Sequence, residues 1–300
     1  MLTADGRIYR WRAMASPISL HLPDLPDRVG EAVARAAAAD IAESEQAMSR
    51  FREDAELVQL NARLGEWVDV SPRLYRALSA SWQAGRRTGG LFDPRVLRTL
   101  EALGYAGAER KDAPDEPGEW LFRAPRRRLV MLRAPVDLGG IGKGLAVRWA
   151  AKIVRRVTSN YLLNAGGDLL AEGKGPDGSG WQVGVENPEK EGALSAALRT
   201  QGRCAVCTSS IARLRWHYGG VPVHHLIDPR TGRPGGGGLW AVTVLGPDPA
   251  WAEVQSKTLF LHGAEGIAAA ARGRAVIWIA QDGGLHVTTE AEPSVFWRAP

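Results

Sequence analysis

Residues 8–22 read as a first strand, and the spacing then changes. Val29, Val33, Ala36, Ala37 and Ile41 recur at helical intervals in an Ala-rich segment that runs to Met48. Ser71-Pro72 is an N-cap followed by proline at the first helical position, and it predicts a helix to about Gly85. Asp93-Pro94 predicts another, carrying Val96, Leu97 and Leu100 and ending before Gly104. The polar, Pro/Gly-rich stretch 106–119 reads as a surface loop. From Leu129 a strand leads through DLGGIGKG into a helix over 143–157, with Leu145, Trp149 and Val154 inward. Short strands follow at 161–165, 168–172, 181–186, 194–200, 203–208 and 222–227. After a Gly-rich turn at 235–238 come a strand at 239–246, helices at about 250–261 and 264–271, and strands at 274–280 and 284–289. The elements mix without a βαβ beat, and no repeat is visible. This order predicts an α+β fold with mixed sheets or a barrel flanked by helices, not a doubly wound parallel sheet. The 300 residues are expected to form one domain, with lobes at about 1–125 and 126–300.

Composition narrows the class. With 45% apolar and 24% charged residues, a mostly disordered chain is excluded. The net charge of +5 hints at an anionic partner, yet only six of the 38 cations are lysines. The arginines are scattered among acids, which argues for compositional drift and against a nucleic-acid footprint. The N-terminus carries no apolar run of signal-peptide length, and no window approaches a membrane span. A cytoplasmic protein without stable membrane insertion is expected. Cys204 and Cys207 lie in a β-prone run, where positions three apart face opposite ways, so they read as packed thiols.

Candidate chemistry gathers in four clusters. In DLGGIGKG, Gly139, Gly140 and Gly142 admit close backbone approach, Lys143 adds a cation, and the following helix offers unpaired N–H groups to a phosphate. In NAGGD, Asn164 and Asp168 flank Gly166 and Gly167. Thr208 and Ser209 precede HHLIDPRTG, where His225 suits acid/base work near neutral pH. Asp228 can orient that histidine, position a substrate or cap the Asp-Pro turn. Glu253 and Lys257 share one helix face, as an ion pair or as ligand contacts.

In this order the segments resemble the FAD:protein FMN transferase (ApbE) family. AMASPISLHL, SRFREDAELVQLNA, LFDPRVLRTLEALGY, DLGGIGKG, NAGGD, GWQVGVENP, TSS, HHLIDPRTG and AVTVLG carry the resemblance over about residues 10–290. It implies an FAD site between the two halves. It also implies a transferase that splits FAD, releases AMP and joins FMN by a phosphoester to a Thr or Ser of a target flavoprotein, with Mg²⁺. The alternative is a protein that binds FAD, or hydrolyses its pyrophosphate, without protein transfer. By the same resemblance His225 and Asp228 are the catalytic residues, His225 as the base on the acceptor hydroxyl, and Met14, Phe92, Asp93, Asp168 and Thr208 help form the flavin and adenosine pocket. The implied metal contacts, a helix Asp, a Thr four residues on and a loop carbonyl, fall here on Glu253, Lys257 and Gly142. A charged ammonium has no lone pair to ligate with. Two readings stand open: Mg²⁺ held by Glu253 and phosphate oxygens with Lys257 adding charge stabilisation, or the Lys257 ammonium standing where metal charge would be, with the activity metal-free or lost.

Overall fold

The computed structural model describes residues 2–5, 7–105, 119–124 and 128–300. The chain opens with β1 (Thr3–Asp5), β2 (Ile8–Ala13) and β3 (Ser16–His21). The segment 8–22, expected as one strand, is therefore a hairpin. Its turn residues Met14 and Ala15 both lie in the left-handed region, at φ 54° and 55°. Such two-residue turns ordinarily hold Asn-Gly. Met-Ala sends no turn signal, so the apolar pattern runs through it.

Helix α1 (Asp27–Met48) buries Val33, Ala37 and Ile41 as its spacing predicts. After α2 (Glu56–Asn61) and β4 (Val68–Asp69), α3 (Pro72–Arg87) starts at the expected cap, where Ser71 Oγ accepts from Leu74 N at 3.1 Å. Asp93 caps a 3₁₀ turn that leads into α4 (Leu97–Ala102). Of the expected loop 106–119, all but Glu119 lies outside the described residues. Then come β5 (Leu121–Ala124), β6 (Leu129–Leu132) and α5 (Gly142–Val154). The strand-rich half holds β7 (Tyr161–Ala165), β8 (Asp168–Glu172), β9 (Trp181–Glu186), β10 (Leu194–Thr200), β11 (Cys204–Ser210), β12 (Arg215–Tyr218) and β13 (Val221–His224). It continues with β14 (Ile227–Asp228), β15 (Arg233–Pro234), β16 (Leu239–Gly246), α6 (Pro249–Phe260), α7 (Gly263–Ala270), β17 (Ala275–Ala280), β18 (Leu285–Val287) and β19 (Val295–Arg298).

Nine strands form one sheet in the order β1-β2-β3-β7-β8-β11-β16-β17-β18, and every pairing is antiparallel. This is the α+β arrangement expected. The sheet draws β1–β3 from the first half and its other strands from the second, so lobes at 1–125 and 126–300 do not divide it. One face packs on α1, α5 and α6 through Ile41, Val147 and Phe260. The other packs on the β9-β10-β19 sheet through Trp181, Leu198 and Ile277. Cys207 is buried in the first of these cores and Cys204 packs against the second, as two residues three apart on a strand must. A third core lies among α1–α3, α5, α6 and the β4-β6-β5 sheet. Among the described residues no helix is long and apolar enough to cross a membrane.

Candidate active site

The site is built where α5 and α6 cross under the middle of the main sheet. Gly144 lets the helices meet: a Cβ there would lie 2.5 Å from Pro249 O and Ala250 Cα. That approach brings Glu253 of α6 to the start of α5, where its Oε2 accepts from Gly144 N at 2.8 Å. The helix N-terminus that the sequence offers to a phosphate thus already holds a carboxylate in its first turn, a favourable place for negative charge. Glu253 is fully buried. Its other oxygen, Oε1, accepts from Lys257 Nζ at 3.4 Å, one turn along α6. Burial raises the Glu253 carboxyl above its ordinary value, and the Lys257 ammonium offsets only part of that rise.

A second acid and lysine lie beside the first pair. Lys143, on the first turn of α5, forms an ion pair with Asp168 at the start of β8. Asp168 Oδ1 also accepts from Thr208 N at 3.3 Å. Burial opposes the Lys143 charge, but Asp168 and Glu253 outweigh it and its pKa is raised. The register of β11 against β16 sets Thr208 opposite Thr243, with their hydroxyl oxygens 2.9 Å apart. Ser209 faces the other way and shares a 2.7 Å hydrogen bond with Ser256 of α6. The floor is two buried carboxylates. Above it stand two ammonium groups whose side chains are 27% and 21% exposed, open enough to meet a ligand.

The strand expected over 222–227 breaks in two, and His225 sits in the break between β13 and β14. Its Nδ1 lies 3.4 Å from Leu214 O. A carbonyl only accepts, so the proton belongs on Nδ1 and the Nε2 lone pair is left free. Burial first, and Lys257 second, lower the His225 pKa from 6.5 to about 4; Lys143 and His224 act in the same direction. The imidazole is therefore neutral at physiological pH. Asp228 makes its side-chain hydrogen bonds within its own turn. Its carboxylate accepts from Arg230 N at 2.9 Å and pairs with the Arg230 guanidinium at 2.7 Å, closing the Asp-Pro-Arg-Thr turn. Of the three roles open to Asp228, the turn cap is the one its contacts describe.

The remaining candidates separate into neighbours of the lysines and supports. Gly140 admits Phe92 and Lys257 close to the backbone: a Cβ there would sit 2.7 Å from Phe92 Cε2 and 3.4 Å from Lys257 Cδ. Met14, at the hairpin tip, packs against two of the three cores and donates its N–H to Glu45 Oε1 at 2.7 Å. Gly142 faces Met14 across ordinary contact distance. Gly139 N donates to Asp137 Oδ1 at 2.7 Å, which shapes the loop from within. Asp93 is committed to Arg95, accepting from its backbone at 2.9 Å and pairing with its guanidinium at 2.6 Å. Asn164 Oδ1 accepts from Gly167 N at 2.9 Å, and Gly166 abuts Ser16 where a Cβ would clash.

Three residues enter that sequence reading did not single out. Thr243 and Ser256 are partners of Thr208 and Ser209, visible only through sheet register and helix docking. Arg50, in the quoted SRF segment, pairs with Asp137 at 3.1 Å beneath the glycine loop, with the Phe51 and Tyr105 rings 4.1 and 4.8 Å from its guanidinium.

Residues 14–278 match the ApbE family model. The chain belongs to the ApbE family. The FAD:protein FMN transferase of Salmonella typhimurium is 32% identical over 263 residues, covering 79% of this chain and 73% of that one. The FAD:protein FMN transferase of Rhodobacter capsulatus is 31% identical over 259 residues, 78% of this chain and 48% of its own length, so this chain matches about half of that relative. In fold it is similar to the ApbE protein of Thermotoga maritima, with a TM-score of 0.82 at 24% identity over 96% of this chain and 98% of that one.

Mg²⁺ was implied through Glu253 and Gly142. A hard dication seeks near-octahedral oxygen ligands. Here both Glu253 oxygens already have donors, and one donor is an ammonium. Among the described residues no group of three or more His, Cys, Asp or Glu side chains is placed to hold a metal ion. A dication and an ammonium about 4 Å apart repel by roughly 8 kcal/mol at an effective dielectric of 20. This ApbE-family site does not suit Mg²⁺ while Lys257 stands in it.

Proposed function

We propose that the chain is an FAD:protein FMN transferase acting on a Thr or Ser hydroxyl of a target flavoprotein. The hydroxyl oxygen attacks the FMN phosphorus of FAD. A P–O bond forms there, the bond from that phosphorus to the bridging oxygen breaks, and AMP leaves with that oxygen. The hydroxyl proton goes to His225 Nε2. The pyrophosphate faces Lys143 and Lys257, and Gly139, Gly140, Gly166 and Gly167 leave it room. Met14, Phe92, Asn164, Asp168, Thr208 and Ser209 bound the flavin and adenosine pocket. Asp93 and Asp228 act through the turns they cap. A single domain in the cytoplasm completes the reading, and the free thiols Cys204 and Cys207 fit a reducing compartment.

One observation carries this. Two lysines from different helices and a histidine kept neutral by burial and by those lysines' charge share one site. Cations suit a pyrophosphate, and a neutral imidazole suits proton removal from a hydroxyl.

The test is incubation with FAD and a Thr-containing acceptor protein, following AMP by chromatography and flavin attachment by intact mass. Transfer yields both. AMP with free FMN and no adduct would indicate a pyrophosphatase; FAD binding without AMP would indicate a binding protein. His225→Ala should lower transfer by about 10²–10⁴-fold while FAD binding persists. Transfer unchanged in that variant would remove His225 as the base.

A further inference from the structure

We infer that the Lys257 ammonium itself supplies the positive charge that the FAD pyrophosphate requires, so that binding and cleavage proceed without a divalent ion. The inference rests on the FAD-cleaving reading above and names the cation of that site.

Four features argue for it. Lys257 does not wander as a surface lysine would. Its stem lies along the glycine loop, with Cδ and Cε 3.4 and 3.5 Å from where a Cβ of Gly140 would be. Its ammonium is anchored at 3.4 Å to a fully buried carboxylate, which fixes a positive charge at one place before any ligand arrives. That carboxylate is itself seated by the Gly144 N–H on Oε2, which leaves Oε1 facing Lys257. Lys143 repeats the arrangement on Asp168. Each acid on the floor therefore has its own cation, and what faces the ligand is ammonium, with N–H donors beyond the one given to its carboxylate. In the transfer step these N–H groups stabilise the oxygens of the departing AMP phosphate, and no electron or proton need pass through them.

The experiment uses the full chain. FAD affinity and AMP release are measured with EDTA and with Mg²⁺, and Mn²⁺ binding is followed by electron paramagnetic resonance with FAD present. The expected result is no dependence on EDTA and no bound Mn²⁺. Lys257→Thr removes the ammonium and adds an oxygen donor. In EDTA it should lose about 100-fold in AMP release. Mg²⁺ should restore part of that loss, and Mn²⁺ should now bind, because Glu253 Oε1 has lost its ammonium. Loss of wild-type AMP release in EDTA, or tight Mn²⁺ binding by the wild type, would overturn the inference. Should the wild type bind FAD and release no AMP under either condition, the transferase reading fails. FAD affinity then decides on the cation: unchanged by EDTA it supports the ammonium, and a need for a divalent ion refutes it. Should Lys257→Thr not fold, the wild-type measurements decide alone.

Discussion

Lys257 acts on more than its ligand. It is the second cause, after burial, of the low His225 pKa. A general base must be unprotonated, so its rate falls as pH drops through its pKa. With that pKa lowered to about 4, the acid limb of kcat/KM should lie near pH 4 in place of an ordinary histidine's 6.5. Lys257→Met removes one cause and leaves the burial. Its acid limb should move upward and stop short of 6.5, whatever happens to the maximal rate. A pH profile of AMP release with saturating acceptor reads this directly, and an unmoved limb would show that the two side chains do not sense each other. At this scale the sequence was eloquent about residue types and silent about partners. His225, Lys143 and Glu253 were legible as chemistry. The pairing of Lys143 with Asp168, 25 positions away, was not, because it depends on where β8 lies beside α5. Asp228 looked like a partner for His225, and the short-range bonds of its own turn claimed it first.

Among elements, the crossing of α5 and α6 decides whether the site exists. Gly144→Ala would press a methyl group into backbone atoms of residues 249 and 250, which cannot swing aside as a side-chain end can. A cost of roughly 1–3 kcal/mol is expected, measured as a lower urea midpoint. FAD affinity should fall as well, because parting the helices withdraws Glu253 from Gly144 N. Most helices were legible: α3 from its Ser-Pro start, α1 from its spacing, α6 and α7 to within a residue or two. The misses share a cause. Met14-Ala15 turns the chain without a turn residue. Helix α2 is six residues long, too short for periodicity to accumulate. Strand β19 is mostly exposed and has no alternation to read. Each is held by tertiary packing that overrides local preference.

Across the whole molecule, the nine-stranded sheet joins strands from both halves of the chain, with β1 at one edge and β18 at the other. Strand β3 pairs with β7, and α5 contributes to both helix-side cores. Both helix-side cores draw residues from each proposed lobe, so one cooperative unfolding transition is expected. Tryptophan fluorescence and the exposure of Cys207 to a thiol reagent should report the same midpoint in urea; two separated midpoints would restore the lobes. The basic balance seen at the start also changes meaning at this scale. Arginines such as Arg73, Arg148, Arg203 and Arg230 are matched with acids, so the excess is dispersed and no stripe for a polyanion forms from them.

The two thiols, set aside as packing, gain a use from the faces they occupy. Cys207 lies wholly inside, its Sγ donating to Pro249 O at the entry to α6, and burial pushes its thiol well above the ordinary value. It is sealed by the same helix that carries Glu253 and Lys257. A reagent that reaches Cys207 must wait for α6 to lift from the sheet. Cys204, partly exposed on the opposite face, can react without that event. The molecule thus carries a clock and its control three residues apart: the lag between the two labels times the opening of the floor on which the pyrophosphate would rest.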